Sequence, residues 1–228
     1  MKISALVLAV TAGAVVSAQA DAAVLANWTF EVSQPASAGP FAAEAGINAA
    51  TSQASGFHAG ASTYSSPAGN NSARSFSSNT WAVGDYYQFK TSSTGYQNIS
   101  FSWAQTGSNT GPLNFALFWS TNGTTFTQVG ATIALLANAA PNGPWSAAST
   151  PNPSAYVTTI SGPAALNNQA NIWFRIVDMS TTSINGGTVA GGGTSRVDDV
   201  IISGDVVPAP GSLALIGLAG LAVGRRRR

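Results

Sequence analysis

The sequence predicts an all-β fold, specifically a jelly-roll-type β-sandwich, and three observations support this prediction. Only 7% of the 228 residues are charged, a composition that favours short strands joined by polar turns over helices with charged faces. Several stretches alternate apolar and polar residues in the way that half-buried strands do. Long polar segments separate these stretches, and such connections suit crossovers between two packed sheets better than an up-and-down barrel.

The alternation predicts at least seven strands. The most definite pair flanks Asn122-Gly123, a dipeptide that supplies the positive φ angles of a tight hairpin turn. One short helical turn is predicted between residues 163 and 170, and no stretch has the pattern of a long amphipathic helix. The predicted strands lie at residues 28–32, 87–89, 99–103, 113–119, 155–160, 172–177 and 197–203.

The N-terminus has the pattern of a secretory signal peptide, which a signal peptidase would remove. Lys2 precedes an apolar run over residues 3–16, and small residues follow it. We expect cleavage after Ala20, with Ala22 or Ala23 as alternatives, and an N-terminal membrane anchor is the competing interpretation. The chain then divides into a signal peptide (1–20), a β-sandwich domain (21–205) and a C-terminal segment (206–228).

The C-terminal segment is apolar and ends in four arginines. The 17 residues from 208 to 224 carry no charge and come close to the shortest length that spans a bilayer as a helix. Positive charge is held on the cytoplasmic side of a membrane, so the arginines would leave the preceding domain outside. We therefore expect a short apolar transmembrane helix that anchors the chain in the inner membrane, transiently or stably. A buried core helix is the alternative.

The same segment resembles the PEP-CTERM sorting signal of secreted bacterial proteins, although an alanine replaces the glutamate of the family motif. This resemblance implies processing by an exosortase-like enzyme and delivery to the cell surface or to the extracellular polysaccharide matrix. The strands ahead of it resemble the jelly-roll ectodomains that often precede this signal. The residues that carry the sorting motif are Pro208, Ala209, Pro210, Arg225, Arg226, Arg227 and Arg228.

Composition excludes several classes of function. The absence of cysteine rules out disulfides, thiolate metal sites and cysteine nucleophiles. Five of the nine basic residues lie in the two terminal segments. The rest of the chain contains the four other basic residues and eight acidic residues, so its net charge is −4. A mildly acidic domain with four scattered cations lacks the basic surface that binds a phosphate backbone, so we expect no nucleic acid partner.

No catalytic residues are predicted, and we expect the protein not to be an enzyme. The only histidine, His58, lies in a Gly- and Ser-rich stretch and is interpreted as a solvated loop residue. No nucleophile elbow occurs, so a serine hydrolase is disfavoured. Asp198 and Asp199 are adjacent, and on an extended strand their side chains would point to opposite faces, which disfavours a paired-carboxylate glycosidase.

Structural calcium is the one cofactor that the acidic residues suggest. Calcium takes several oxygen ligands, and we regard Glu31 on the opening strand and Asp199 near the last strand as its candidate ligands. The alternative is that Asp198 and Asp199 cap a turn or pair with Arg196 and Arg175.

Sugar binding is the second functional hypothesis. Four of the six tryptophans fall in strand patterns and are interpreted as core residues, whereas Trp81 and Trp145 fall in turn-like contexts. These two are the candidates for exposed sugar-binding platforms, with the alternative that they only anchor loops. The leading hypothesis is an exported, non-enzymatic surface or matrix protein. The alternatives are a carbohydrate-binding module for extracellular polysaccharide and a hydrolase whose site the sequence does not reveal.

Overall fold

The structure of the chain, a computed structural model, describes residues 22–148 and 155–208. The predicted signal peptide and the C-terminal segment from residue 209 onward lie outside the described residues. The described part contains two short 3-10 helices, Ala49–Thr51 and Ala164–Leu166, and its other regular elements are strands. In chain order these are β1 (Ala23–Trp28), β2 (Phe41–Ala42), β3 (Gln53–Phe57), β4 (Tyr64–Ser65), β5 (Phe76–Ser78), β6 (Tyr86–Thr91), β7 (Tyr96–Gly107), β8 (Asn114–Ser120), β9 (Thr127–Ala134), β10 (Tyr156–Ser161), β11 (Ile172–Asp178) and β12 (Ser195–Val206).

The strands form two antiparallel sheets, which confirms the predicted β-sandwich. The first sheet has the order β10-β7-β12-β5-β4, and β1 also pairs with β12. The second sheet has the order β2-β3-β6-β11-β8-β9. The chain changes sheet between β5 and β6, between β6 and β7, and again between β7 and β8, as the jelly-roll prediction requires.

The last strand, β12, is central to the first sheet. It pairs with β7 on one side and with both β1 and β5 on the other. Its pairing with β7 shifts register between Asp198 and Ile201, and Asp199 has a φ of +49°. This is a β-bulge, a device that bends a strand and redirects its side chains.

Aromatic side chains from both sheets fill the space between them. Phe101 of β7 lies 4.8 Å from Phe174 of β11, and Trp28 of β1 lies 5.2 Å from Phe89 of β6, between ring centroids. All four rings are fully buried. Ring pairs of this kind contribute about 0.5–1.5 kcal/mol each beyond the area they bury, so the two sheets are joined chiefly through these contacts.

The prediction of an opening strand at residues 28–32 is wrong, because β1 occupies Ala23–Trp28 instead. It ends at Trp28, Phe30 has a φ of +57°, and Val32 is 81% exposed. The cause is the Glu44 carboxylate, which accepts hydrogen bonds from the backbone N–H groups of Glu31, Val32 and Ser33. Because these three N–H groups donate to one carboxylate, they are not available for hydrogen bonds to a neighbouring strand.

The hairpin around Asn122-Gly123 is confirmed, with a longer loop than expected. β8 pairs with β9, and residues 121–126 connect them. Gly123 has a φ of +73°, whereas Asn122 organises the loop through its side chain. Its Oδ1 accepts hydrogen bonds from the N–H groups of Thr124 and Thr125, both at 2.9 Å. The predicted helical turn is also present, at Ala164–Leu166.

Among residues 22–148 and 155–208, no helix is long and apolar enough to cross a membrane. The predicted C-terminal helix begins at the edge of this part and lies outside the described residues.

We expect Phe174→Ala to lower the free energy of unfolding by about 3–5 kcal/mol, because it removes a buried ring and leaves a cavity between the sheets. The measurement is urea unfolding of the purified chain. Val157→Ala is the control, since Val157 is 65% exposed, and its effect should stay within about 0.5 kcal/mol. Equal effects of the two substitutions would contradict packing of the sheets through these rings.

Candidate functional sites

Four residues at the bulge of β12 form what we call the acidic corner: Glu31, Asn70, Asp198 and Asp199. The backbone N–H of Asn70 donates to Asp198 Oδ2 at 2.8 Å, and its side-chain Nδ2 donates to Asp199 Oδ2 at 3.1 Å. Both carboxylates therefore contact the same residue, which lies on the loop between β4 and β5. The prediction that they point to opposite faces is wrong, because the bulge interrupts the alternation of the strand.

The carboxylates of the acidic corner repel one another. Burial and the neighbouring Asp199 charge raise the pKa of Asp198 to about 7. Burial also raises the pKa of Asp199, with Glu31 adding to the rise and the hydrogen bond from Asn70 opposing it. Glu31 and Asp199, the two predicted calcium ligands, are thus close enough to interact.

The arginines that were considered as partners do not neutralise this corner. Arg196 Nη1 donates to the carbonyl of Ala68 at 3.0 Å, and Arg175 lies in the other sheet. Within the described ranges, neither forms an ion pair with Asp198 or Asp199. The alternative of an arginine pair is therefore wrong, and the negative charge of the corner has no cationic partner among the described residues.

Several oxygen atoms lie close together at the acidic corner. A Cβ atom at position 69 would clash with the Arg74 carbonyl, the Asp198 carboxylate and the Ser72 hydroxyl, so several oxygens converge beside Gly69. Calcium prefers oxygen ligands of these kinds. No group of three or more His, Cys, Asp or Glu side chains within the described part has the geometry of a metal site. A cation held by Glu31 and Asp199 would therefore also need carbonyl oxygens or water.

The two tryptophans predicted as exposed platforms are both buried. Trp81 is 6% exposed and Trp145 is 3% exposed. The Trp81 Nε1 donates to the Ser78 carbonyl at 2.9 Å, and its ring packs edge-on against Phe115. The expectation of exposed faces is wrong, because both loops fold back onto the sandwich. A role for either ring in ligand binding stays a prediction, although the rim of Trp81 borders a surface pocket with Val83 and Val189.

His58 is buried rather than solvated, which corrects the sequence interpretation. Its side chain is 1% exposed. His58 Nδ1 lies 3.0 Å from Asp85 Oδ2, and His58 Nε2 lies 3.0 Å from Ser78 Oγ. Burial lowers the pKa of His58 more than the Asp85 charge and the hydrogen bonds raise it. The ring is therefore neutral at pH 7 and connects β5 to the loops that follow β3 and precede β6.

Ser78, His58 and Asp85 are hydrogen-bonded to one another in the arrangement of a serine hydrolase triad. However, a substrate has no access to them. Ser78 is 1% exposed, and its Oγ lies 3.0 Å from the Tyr87 hydroxyl inside the core. A nucleophilic serine must reach a substrate carbonyl, which this burial prevents. We interpret Ser78, His58 and Asp85 as a structural network. The residues are 7 to 27 positions apart in the sequence, and no local motif signals the cluster.

The outward side of the second sheet carries a surface that the sequence interpretation missed, which we call the aromatic–cation face. β6 and β11 alternate strictly, so Tyr86 and Lys90 point outward beside Trp173 and Arg175. Trp173 is half-buried here and is not one of the fully buried core residues, which corrects its assignment to the core. The face consists of Phe57, Tyr86, Gln88, Lys90, Phe126, Trp173 and Arg175.

Aromatic rings and cations contact one another across this face. The Arg175 Cζ lies 3.9 Å from the centroid of Tyr86 and 3.6 Å from that of Phe126. The Lys90 Nζ lies 5.4 Å from the centroid of Trp173. Phe57 is stacked on Tyr86 with centroids 5.0 Å apart, and Phe57 is 47% exposed. The face thus combines an exposed aromatic platform with two positive charges.

Comparison with known protein families identifies the C-terminal segment as a sorting motif. Residues 206–228 match the PEP-CTERM protein-sorting motif, at the boundary that the sequence predicts. No curated protein matches the chain in sequence. The sorting motif begins at Val206, the last residue of β12, so the match and the sandwich adjoin.

Solved structures with a similar architecture share little sequence with this chain. The K2 cleaved adhesin domain of Lys-gingipain, a Porphyromonas gingivalis protein, is 16% identical with a TM-score of 0.45 and covers 77% of this chain and 97% of its own. The CBM22-1 xylan-binding domain of Paenibacillus barcinonensis Xyn10C is 8% identical with a TM-score of 0.47 and covers 85% of this chain and 100% of its own. Likenesses at this level carry no information about a ligand.

Asp178 is a buried carboxylate whose raised pKa makes the stability of the fold depend on pH. Its Oδ2 is buried without a hydrogen-bond partner in the described structure. Burial, helped by the Asp85 charge and opposed by the Ser180 N–H, raises the pKa of Asp178 to about 6. Between pH 4 and pH 7 the folded state thus keeps a proton that the unfolded chain has released, so the wild type loses stability as the pH rises.

We expect Asp178→Asn to remove this loss, because asparagine does not titrate. The variant should gain about 1–2 kcal/mol over the wild type between pH 4 and pH 8, measured by urea unfolding at each pH. Asp205→Asn, the same charge change on a half-buried residue at the end of β12, should stay within about 0.5 kcal/mol of the wild type. A difference for Asp178→Asn that does not change with pH would contradict the raised pKa.

Proposed function

We propose that this chain, which carries a PEP-CTERM protein-sorting motif behind a β-sandwich domain, supplies a non-enzymatic component of the cell surface or of the extracellular matrix. The sorting motif marks an exported protein that an exosortase-like enzyme sorts to the envelope. The main support for this proposal is the position of the motif in the sequence. It starts where β12 ends, so the described strands all precede it and a complete sandwich remains after the tail is removed.

The proposed route has two processing steps. A signal peptidase removes the N-terminal segment, and the C-terminal segment then holds the chain in the inner membrane until the exosortase-like enzyme acts. The four terminal arginines favour this orientation, because positive charge stays on the cytoplasmic side. The proposal of no catalytic activity is supported by the burial of Ser78 and His58, which keeps the one triad-like arrangement away from substrate.

A structural calcium ion at the acidic corner is part of the proposal. Asp199 adds to the raised pKa of Asp198, and Glu31 adds to the raised pKa of Asp199. A divalent cation would relieve this repulsion and would tie the loop after β1 to the bulge of β12. Calcium is better suited than magnesium, because it accepts irregular sets of carboxylate, carbonyl and water ligands.

Retention of polysaccharide is a second candidate function, favoured by the aromatic–cation face. The buried Trp81 and Trp145 make poor sugar platforms. In contrast, Phe57 offers an exposed ring that is stacked on Tyr86, next to amide and hydroxyl side chains of β3 and β6. Apolar platforms flanked by a few fixed polar groups are typical of ligand sites.

Processing can be tested by the mass of the protein in its own cells. We expect the mature protein from the envelope or the culture medium to lack the signal peptide and about 20 C-terminal residues, because cleavage within the motif leaves β12 intact. Intact-mass spectrometry measures both ends. In cells without the exosortase-like enzyme, the tail should remain and the protein should stay in the membrane fraction. Recovery of the full 228-residue chain from the cytosol would contradict the proposal.

Calcium binding can be tested by thermal unfolding of the exported protein. We expect calcium at about one hundred times its dissociation constant to stabilise the fold by about 2.7 kcal/mol, which raises Tm by several degrees relative to EDTA. Glu31→Gln and Asp199→Asn should abolish this increase.

Asp205→Asn serves as the matched control, because it removes one carboxylate away from the corner and should keep the response to calcium. Asp199→Asn is expected to fold, since it relieves repulsion at a residue whose pKa is already raised. Identical Tm values in calcium and in EDTA for the wild type would rule out the calcium site.

A further inference from the structure

We propose that the aromatic–cation face binds an acidic polysaccharide, with the Arg175 guanidinium as the anchor for the carboxylate of a uronic-acid residue. This inference rests on the proposed location of the domain outside the cell, and it identifies the chemical class of the polysaccharide.

Arg175 is fixed in a geometry that suits a carboxylate. Its guanidinium lies between the rings of Tyr86 and Phe126, and its Nε donates to Gln88 Oε1 at 2.8 Å. The two terminal nitrogens form no hydrogen bond with the described residues. A planar guanidinium whose terminal N–H groups are free presents two parallel donors, the arrangement that binds a carboxylate with both oxygens. Because the rings already hold the side chain, little further ordering is needed on binding.

A second cation lies on the same face. Lys90 is paired with Trp173 in the sheet, and Arg175 is paired with Gln88, so the two cations occupy neighbouring rows on the outward side. Rows that are two residues apart along a strand are separated by about 7 Å. Lys90 contacts the Trp173 ring and forms no hydrogen bond with the described residues. The face therefore offers two positive charges rather than one isolated charge.

The rest of the face suits the uncharged parts of a sugar. Phe57 is stacked on Tyr86 with an angle of 16° between their planes, so each ring covers one face of the other. The outer face of Phe57, a residue that is 47% exposed, is the face that suits the apolar side of a pyranose ring. The outward residues of β3 beside it are Gln53 and Ser55. Their amide and hydroxyl groups are of the kind that form hydrogen bonds with sugar hydroxyls.

Charge complementarity favours an anionic ligand. The outward positions of β3, β6, β8 and β11 contain no aspartate or glutamate, although acidic residues outnumber basic ones between the terminal segments. The other two cations of the domain, Arg74 and Arg196, donate to carbonyls of the loop before β5. Two cations are too few for the closely spaced charges of a phosphate backbone, whereas they suit the single carboxylate of each sugar in a polyuronate.

The experiment measures binding of the exported protein, purified from its own cells, to alginate and polygalacturonate and to the neutral polymers dextran and xylan. Isothermal titration calorimetry or affinity electrophoresis gives the affinities. We expect binding to the two polyuronates, weaker or no binding to the neutral polymers, and a loss of affinity in high salt, because salt screens exposed charges.

Matched variants assign the binding to Arg175. Arg175→Gln and Tyr86→Ala should weaken polyuronate binding about tenfold, the size expected for losing a hydrogen-bonded charge or the ring that orients it. Lys90→Gln should weaken it severalfold. Arg74→Gln makes the same charge change away from the face and should leave the affinity unchanged. Thermal unfolding of each variant shows that the fold is retained.

Three results would overturn the inference. These are equal affinity for acidic and neutral polymers, undiminished binding by both Arg175→Gln and Lys90→Gln, and binding to phosphatidylglycerol vesicles without binding to either polyuronate. A protein that is correctly processed and found outside the cell, yet binds none of the polymers, would refute this inference alone. A chain that stays unprocessed in the cytosol would refute the proposed function instead.

Discussion

The pairing of β12 is the constraint on which the rest of the structure depends. This strand forms hydrogen bonds with β7 on one side and with β1 and β5 on the other, so its register fixes three neighbours at once. Its inward residues Val197, Val200 and Ile202 are fully buried in the core. Its bulge creates the acidic corner. A shift of one residue would reverse every side chain of the strand and would disrupt core and corner together.

The domain has few charges. Its described carboxylates outside the acidic corner are the buried Asp85 and Asp178 and the half-buried Glu44 and Asp205. Asp85 is hydrogen-bonded to the backbone N–H groups of Ala59 and Ala82 and to His58. Buried carboxylates are costly unless hydrogen bonds satisfy them, and Asp85 meets this condition. Lys90 and Arg175 lie on the outward side of the second sheet, where β3, β6, β8 and β11 place no carboxylate. The acidic corner lies at the bulge of β12 in the first sheet, so the two sheets differ in the charges that they carry.

The strands from β6 onward could be predicted from the sequence, whereas β1 to β5 and most of the candidate sites could not. The period-two alternation that identifies β11 also shows that Trp173 and Arg175 share a face opposite Phe174 and Ile176. The sequence therefore contained the signal for the aromatic–cation face. His58 and Trp81 are different. Their burial results from loops that fold over the end of the sandwich, and such contacts join residues that are distant in the sequence. The bulge at Asp199 likewise depends on pairing with β7, which the pattern SRVDDV does not reveal.

The position of β12 at the end of the domain affects the order in which the chain can fold. A polypeptide is synthesised and crosses an export channel from its N-terminus, so residues 195–206 emerge after every strand they join. The residues of β1 pair with residues of β12 that are 172 to 181 positions later in the sequence. The first sheet consequently cannot close while the domain is still threading through the channel. It closes only after Val206 has emerged, which couples completion of the fold to the end of translocation of the sandwich domain.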